Sequence, residues 1–163
     1  MGADYIQYLI ADNSTVPQQY RSFYSEKIIS MPHTYLVNDH RQCAKHLVDS
    51  EELKSVRRSQ YGISEDKFVF CNFNQMYKID PEIFKVWARI LKRVPNSVLW
   101  LLRFPAFAEN NLRREARELG LRDDQIVFSD VATREEHIKR GYLADLFLDT
   151  SVSNAQTTAC DIL

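Results

Sequence analysis

Glycine is scarce, with four in 163 residues: Gly2, Gly62, Gly120 and Gly141. Neither G-x-G-x-x-G nor G-x-x-x-x-G-K-[ST] can be assembled from them, which excludes the usual glycine-loop routes to dinucleotides and nucleoside triphosphates. A phosphate, if bound, must be held mainly by side chains and a helix start. An excess of one charge is missing too. Lys and Arg number 21 against 22 Asp and Glu, a formal net charge of −1, so nucleic acid held by bulk electrostatics is not an expected partner. The pairs Arg57-Arg58 and Arg113-Arg114 stand near Glu51, Glu52, Glu115 and Glu118 and read as solvated faces. No apolar run approaches the roughly 20 residues of a membrane span, and Met1-Gly2-Ala3-Asp4 does not begin a signal peptide. Cys43, Cys71 and Cys160 are odd in number and far apart, which argues against a disulfide framework and for a reducing compartment.

What is present, 45% apolar and 26% charged residues, is the composition of a globular domain or a piece of a larger protein. From about Lys67 onward, four apolar runs read as strands buried on both faces: Phe68–Cys71, Val98–Leu102, Ile126–Phe128 and Leu146–Leu148. Helical periods separate them. Ile83, Val86, Trp87, Ile90, Leu91 and Val94 form one apolar stripe, started by Asp80-Pro81 and stopped at Val94-Pro95-Asn96. A second helix is expected over Asn111 to Leu119, ending at Gly120. A third should start at Thr133, with Glu136 completing a capping box. Strand-helix-strand repeated at this spacing predicts βαβ units, and so an α/β fold with a parallel sheet wound right-handedly. Trp87, Trp100 and Cys71 fit its core. The first 50 residues differ: strand character over Asp4 to Ala11, helical period over Pro17 to about Ile29, and a short strand over Thr34 to Val37. The polar stretch from Asp49 to Gln60 reads as a linker or surface helix.

Open parallel sheets bind ligands beyond the carboxyl ends of their strands. Gathered there are Asn72 to Lys78, Arg103-Phe104-Pro105, Ser129 to Arg134 with His137, and the run from Asp149 to Thr158. Thr157-Thr158 stands where a further helix should begin, joining hydroxyls to exposed N–H groups. Lys78 is the natural counter-ion for a pyrophosphate, a flexible point charge. The plain alternative is that polar strand ends and a Ser/Thr loop are only caps and turns. His137 on a first helical turn is more often a surface or capping residue than a ligand-holder, and the spacing of His33, His40 and His46 matches no zinc template.

Phe73-Asn74-Gln75-Met76-Tyr77-Lys78-Ile79-Asp80-Pro81, the segment from Ile90 to Pro105, and Leu143 to Thr150 closely resemble the catalytic region of the protein O-GlcNAc transferases. Tyr24-Ser25-Glu26-Lys27 and Met31-Pro32-His33 are similar to that family as well, and the short linker is like that of its plant, SECRET AGENT-like branch. The resemblance implies an α/β fold with a Rossmann-like, doubly wound parallel sheet, part of a GT-B glycosyltransferase. Residues 1–50 would be the tail of the N-terminal Rossmann-like half, 51–60 a linker, and 61–163 the start of the C-terminal, UDP-binding half. It implies that Gln75 and Lys78 meet the diphosphate, with Lys78 catalytic. Ala132 would offer its backbone to uracil, Arg134 would flank the base and His137 pack on it; Thr157 and Thr158 would bond the phosphates, and Asp161 the ribose. Two departures stand out. Gln156 replaces the histidine of the family's Asn-x-His-Thr-Thr-Gly, and Arg134 stands where lysine is common.

The implied reaction is inverting transfer of GlcNAc from UDP-GlcNAc to Ser or Thr hydroxyls of acceptor proteins, with no metal and no cofactor besides the donor, in the cytoplasm or nucleus. The chain ends about one turn into the expected last helix. Neither the first strands of the N-terminal half nor a tetratricopeptide array is seen. The expectation is therefore a fragment with little or no activity alone, exposing an unpaired sheet edge. Two alternatives stay open: a homologue that binds sugar nucleotide or a partner without turnover, and a transferase using another nucleotide sugar.

Overall fold

A computed structural model of the chain describes residues 2–39, 42, 44–48 and 50–162. The chain divides into two compact units, one up to Asp39 and one after it. In the first, β1 (Tyr8–Ala11) and β2 (Lys27–Ser30) pair in parallel. The strand expected from Asp4 thus occupies only its last four residues. The helical period expected over Pro17 to Ile29 yields a 3-10 turn, Gln18–Phe23, followed by β2. β-branched Ile28 and Ile29 fall opposite Leu9 and Ile10, and that pairing overrides the helical pattern. Thr34 to Val37 is not a strand. Its backbone is drawn instead to buried Asp12, whose carboxylate accepts from the N–H of Tyr35 (2.9 Å), Ser14 (2.9 Å) and Thr15 (2.8 Å). These bonds, Tyr35's first, hold the Asp12 carboxyl below its ordinary range.

The second unit is the expected α/β structure. Strands β3 (Phe68–Asn72), β4 (Ser97–Leu102), β5 (Ile126–Ser129) and β6 (Leu146–Phe147) run parallel in the order β5-β4-β3-β6. Its helices are α1 (Lys45–Val48), α2 (Glu51–Ser55), α3 (Pro81–Arg93), α4 (Ala108–Glu118), α5 (Arg134–Gly141) and α6 (Thr157–Ile162). Side chains alternate across the central strands with period two. Phe70, Leu99 and Leu101 face one core with Phe84, Trp87 and Leu91 of α3, while Val69, Cys71, Val98 and Trp100 face the other with Ile63. Burial pushes the Cys71 thiol up to about 12, as suits an inert core residue.

Helix α3 starts as the sequence predicts: the Asp80 carboxylate accepts from the N–H of Glu82 (2.9 Å) and Ile83 (3.0 Å), with Pro81 at the first position. Helix α4 begins three residues before the expected Asn111, at Ala108, because Glu109 in its first turn is pinned by Arg103 and by Arg113 (2.8 Å). It closes at Gly120, φ +75°, whose N–H reaches the Arg117 carbonyl at 2.8 Å while that of Leu121 reaches Ala116 at 2.9 Å.

Two of the arginines expected on solvated faces have other tasks. Arg58 donates to the carbonyls of Leu143 (2.9 Å) and Lys67 (2.6 Å) and to Asp145 (2.9 Å), which itself accepts from the N–H of Val69 at 2.7 Å. The polar stretch before β3, formed by α2 and the 3-10 turn Arg58–Tyr61, is thereby tied to the amino ends of β3 and β6. Arg113 lies 4.8 Å over the Phe128 ring. Cys43, His40, Asp49 and Leu163 lie outside the described residues.

Candidate functional site

Strands β4 and β5 lie to one side of β3 and β6 to the other. Chains leaving β3 and β6 therefore part at their carboxyl ends, and the crevice so opened is where such sheets bind ligands. A cavity of about 530 Å³ lies there. The β3 loop contributes Phe73, Asn74, Gln75, Tyr77 and Lys78, and the β4 loop Leu102 and Phe104. Val131, Ala132, Arg134, His137 and Arg140 come from the β5 loop and α5, and Thr158 and Asp161 from α6. Of the residues singled out from sequence, Gln75, Lys78, Ala132, Arg134, His137, Thr158 and Asp161 line this one space. Thr157 and Gln156 stand beside it without lining it; the Gln156 backbone takes a left-handed φ of +43°.

Two sides of the crevice are tied rung by rung. Asn72 Nδ2 donates to the Leu148 carbonyl (2.6 Å), Asn74 Nδ2 to Thr150 Oγ1 (3.3 Å), and Lys78 Nζ to the Asn154 carbonyl (2.9 Å). Asn72, Asn74 and Thr150 are all but fully buried. Asp149 completes the array by accepting from the N–H of Thr150 (2.8 Å) and Ala155 (2.9 Å) and from the Asn154 amide (3.0 Å). Satisfied buried polar groups of this kind fix geometry where apolar packing would not. The sequence places Asn72, Asn74, Asp149 and Thr150 at this edge but assigns none of them a role of its own. Their signal, short polar residues at strand ends, cannot be told from an ordinary turn. The ammonium of Lys78, exposed and anchored through Asn154, is set on the loop that leads to Thr157-Thr158.

On the facing wall, Thr133 Oγ1 caps α5 by accepting from the N–H of Glu136 at 3.4 Å. The expected capping box is only half formed: the Glu136 carboxylate accepts instead from the Tyr61 hydroxyl. His137 packs against Phe73, ring centroids 5.6 Å apart. Its Nδ1 lies 3.1 Å from an Arg140 nitrogen; since a guanidinium only donates, Nδ1 accepts and the ring proton sits on Nε2, 3.7 Å from Asp161. Burial first, then Arg140, lower the His137 pKa against the pull of Asp161, so the imidazole is neutral at neutral pH.

Arg140 escaped the sequence reading. It is 2% exposed, its guanidinium 4.7 Å over the Phe73 ring and donating to the Asp130 carbonyl at 2.8 Å, while Nε has no partner. Its spacing was the available signal, since Arg134, His137 and Arg140 follow at i+3 steps. Burying a cation is costly unless acceptors or an anion meet it, and burial lowers the Arg140 pKa. Among the described residues no group of three or more His, Cys, Asp or Glu is placed to hold a metal ion. His33 and His46 are exposed, His46 lying 3.9 Å from Glu135.

A parallel sheet whose winding reverses over a crevice, walled by an ammonium, two guanidiniums, a hydroxyl and a neutral imidazole on an aromatic ring, defines an open α/β unit with a polar cavity at the edge where such sheets bind ligands. Glycosyl transferase family 41 matches residues 1–57 and 50–163, and the chain belongs to that family. It is 51% identical over 162 residues to the probable UDP-N-acetylglucosamine–peptide N-acetylglucosaminyltransferase SEC of Arabidopsis thaliana, covering 99% of this chain and 16% of the relative. Over 106 residues it is 54% identical to the UDP-N-acetylglucosamine–peptide N-acetylglucosaminyltransferase of Caenorhabditis elegans, covering 65% of this chain and 9% of that one. A mutant of the O-GlcNAc transferase of Thermobaculum terrenum has the same fold, with TM-score 0.72 and 21% identity over 96% of this chain and 28% of that one.

Proposed function

We propose that the chain supplies the donor-binding region of a protein O-GlcNAc transferase, which transfers GlcNAc from UDP-GlcNAc to Ser or Thr hydroxyls of proteins. The observation that carries this reading is the meeting of Lys78, Arg134, His137, Thr158 and Asp161, from the turn after β3 and from helices α5 and α6, in one cavity at the reversal of the sheet. The family and the names of its relatives agree with it.

In this reading uracil lies against the backbone of Ala132 and the neutral face of His137, flanked by Arg134, and Asp161 takes the ribose hydroxyls. Gln75 and Lys78 meet the diphosphate from the β3 loop, and Thr158, with Thr157 beside it, from the other side. The acceptor hydroxyl oxygen forms a bond to the anomeric carbon and gives up its proton to solvent as the bond from that carbon to the β-phosphate oxygen breaks, inverting the centre and releasing UDP. The electron pair of the broken bond stays on the phosphate. A positive group fixed there before the reaction stabilises that growing charge without reorganising. Lys78 is this group, and no metal ion is required. Residues 1–50 belong in this account to the N-terminal half and 61–163 to the nucleotide-binding half, of a protein working in the cytoplasm or nucleus.

Gln156 supports a second reading, a homologue that binds the donor without turnover. It replaces a histidine with an amide that carries no charge, on a left-handed backbone outside the cavity lining. Labelled UDP-GlcNAc given with an acceptor peptide to the full-length protein separates the two. Label moving to the peptide supports transfer, binding without transfer supports the second reading, and movement only from a different UDP-sugar overturns the choice of GlcNAc.

A further inference from the structure

Helix α5 has two working sides and little apolar surface. Arg134, His137 and Arg140 line the donor cavity. The residues between them grip the segment that precedes β3: Ile138 packs on Ala44 and Leu47, Lys139 pairs with Glu52, Glu135 lies 3.9 Å from His46, and Glu136 accepts from Tyr61. The Tyr61 contact differs from the other polar ones. His46, Glu51 and Glu52 are exposed, whereas Tyr61 is partly buried with its ring 4.8 Å from that of buried Trp100. Tyr61, Glu136 and Arg140 also line a second cavity of about 390 Å³, which shares Val131, Ala132 and Arg140 with the first. The Tyr61–Glu136 bond thus lies directly behind the wall that faces the donor.

We propose that Tyr61 is a positioning residue for the donor nucleotide: its bond to Glu136 sets the rotation of α5 that turns Arg134, His137 and Arg140 toward the base. The inference rests on reading the cavity as a uridine nucleotide site. A helix of eight residues cannot hold its own orientation through backbone bonds alone, and only Ile138 gives this one a buried apolar anchor. Glu136 is the half of a capping box that did not close, and its carboxylate is spent on Tyr61 rather than on the Thr133 backbone. Burial and that carboxylate raise the Tyr61 pKa, so the hydroxyl stays protonated and donates throughout the working pH range. Trp100 in turn is fixed, its Nε1 donating to Ser129 Oγ at 2.7 Å. A continuous line of contacts therefore runs from the central strand β4 through Tyr61 to the helix that meets the donor.

The test is Tyr61→Phe in the full-length protein, which keeps the ring on Trp100 and removes only the donor hydroxyl. KM for UDP-GlcNAc is expected to rise about five- to tenfold, on the scale of one hydrogen bond to a charged group, with kcat within about twofold and the melting midpoint moved by only a few degrees. Glu136→Leu should reproduce the rise, and the double variant should be no worse than either single one, because the two act as one unit. A lowered melting midpoint with donor KM unchanged would mark Tyr61 as merely structural and overturn the proposal. Unchanged KM and unchanged melting would overturn it as well. If the wild-type protein binds no uridine nucleotide, the reading of the cavity fails and this inference falls with it.

Discussion

Helices α3 and α5 are both capped, both follow a strand of the same sheet, and are held in place by opposite means. In α3, Asp80 makes two cap bonds and Phe84, Trp87, Ala88 and Leu91 are buried in the core. In α5, Thr133 makes one long cap bond, and most of the helix contacts are polar on two sides. Apolar burial fixes a helix strongly but leaves nothing for a ligand to meet. Polar contacts hold it less firmly and leave guanidinium, imidazole and carboxylate groups facing a cavity. Stability and function are drawn here from different helices, and substitutions should separate them.

Trp87→Ala is expected to have the largest effect, about 3–5 kcal/mol of lost stability from cavity formation in the α3 core. Denaturant unfolding would show it, with UDP affinity of the folded fraction unchanged. Lys78→Met should lower turnover of the full-length protein by at least about two orders of magnitude, with thermal stability nearly intact because its bond to the Asn154 carbonyl lies in solvent. Near wild-type turnover would show that this lysine is not the counter-ion. Arg140→Met inverts the Trp87 result. An apolar side chain of similar reach in place of a buried cation leaves stability within about 1 kcal/mol or improves it, while calorimetry should show UDP binding at least about tenfold weaker. Loss of both together would mean that α5, like α3, is mainly structural.

The caps give a smaller contrast: Asp80→Ala should cost about 1 kcal/mol, and Thr133→Ala less. The smallest effect is that of pH on α5. His137 is half-buried and neutral, with a pKa below the unfolded value of 6.5, so the unfolded chain binds the extra proton first. The stability contribution is fully present above pH 6.5 and is lost as pH falls through the lower folded value. Melting midpoints of wild type and His137→Asn should converge as pH drops through that window. Parallel curves would show that the histidine does not titrate.

The same contrast explains what could be read from the sequence. The α3 stripe, the Asp80-Pro81 start and the strands at Phe68, Val98 and Ile126 follow from apolar period and cap chemistry, and the structure has them. The order β5-β4-β3-β6 brings together seven of the singled-out residues, because strand ends of a parallel sheet share one edge. The bonds made by Asn72 and Asn74 and the turning of Glu136 toward Tyr61 were not legible. Each depends on partners tens of residues away, such as Leu148 for Asn72 and Thr150 for Asn74. In the first unit a local helical pattern lost to a parallel partner strand, which no window of the sequence contains.

The most direct test of the account compares binding of UDP with that of uridine, by titration calorimetry, to wild type and to Lys78→Met. The account predicts that wild type binds UDP far more tightly than uridine, and that the variant loses most of this difference while its affinity for uridine is unchanged. Equal affinity of the wild type for the two ligands, or a difference that survives the substitution, would contradict it.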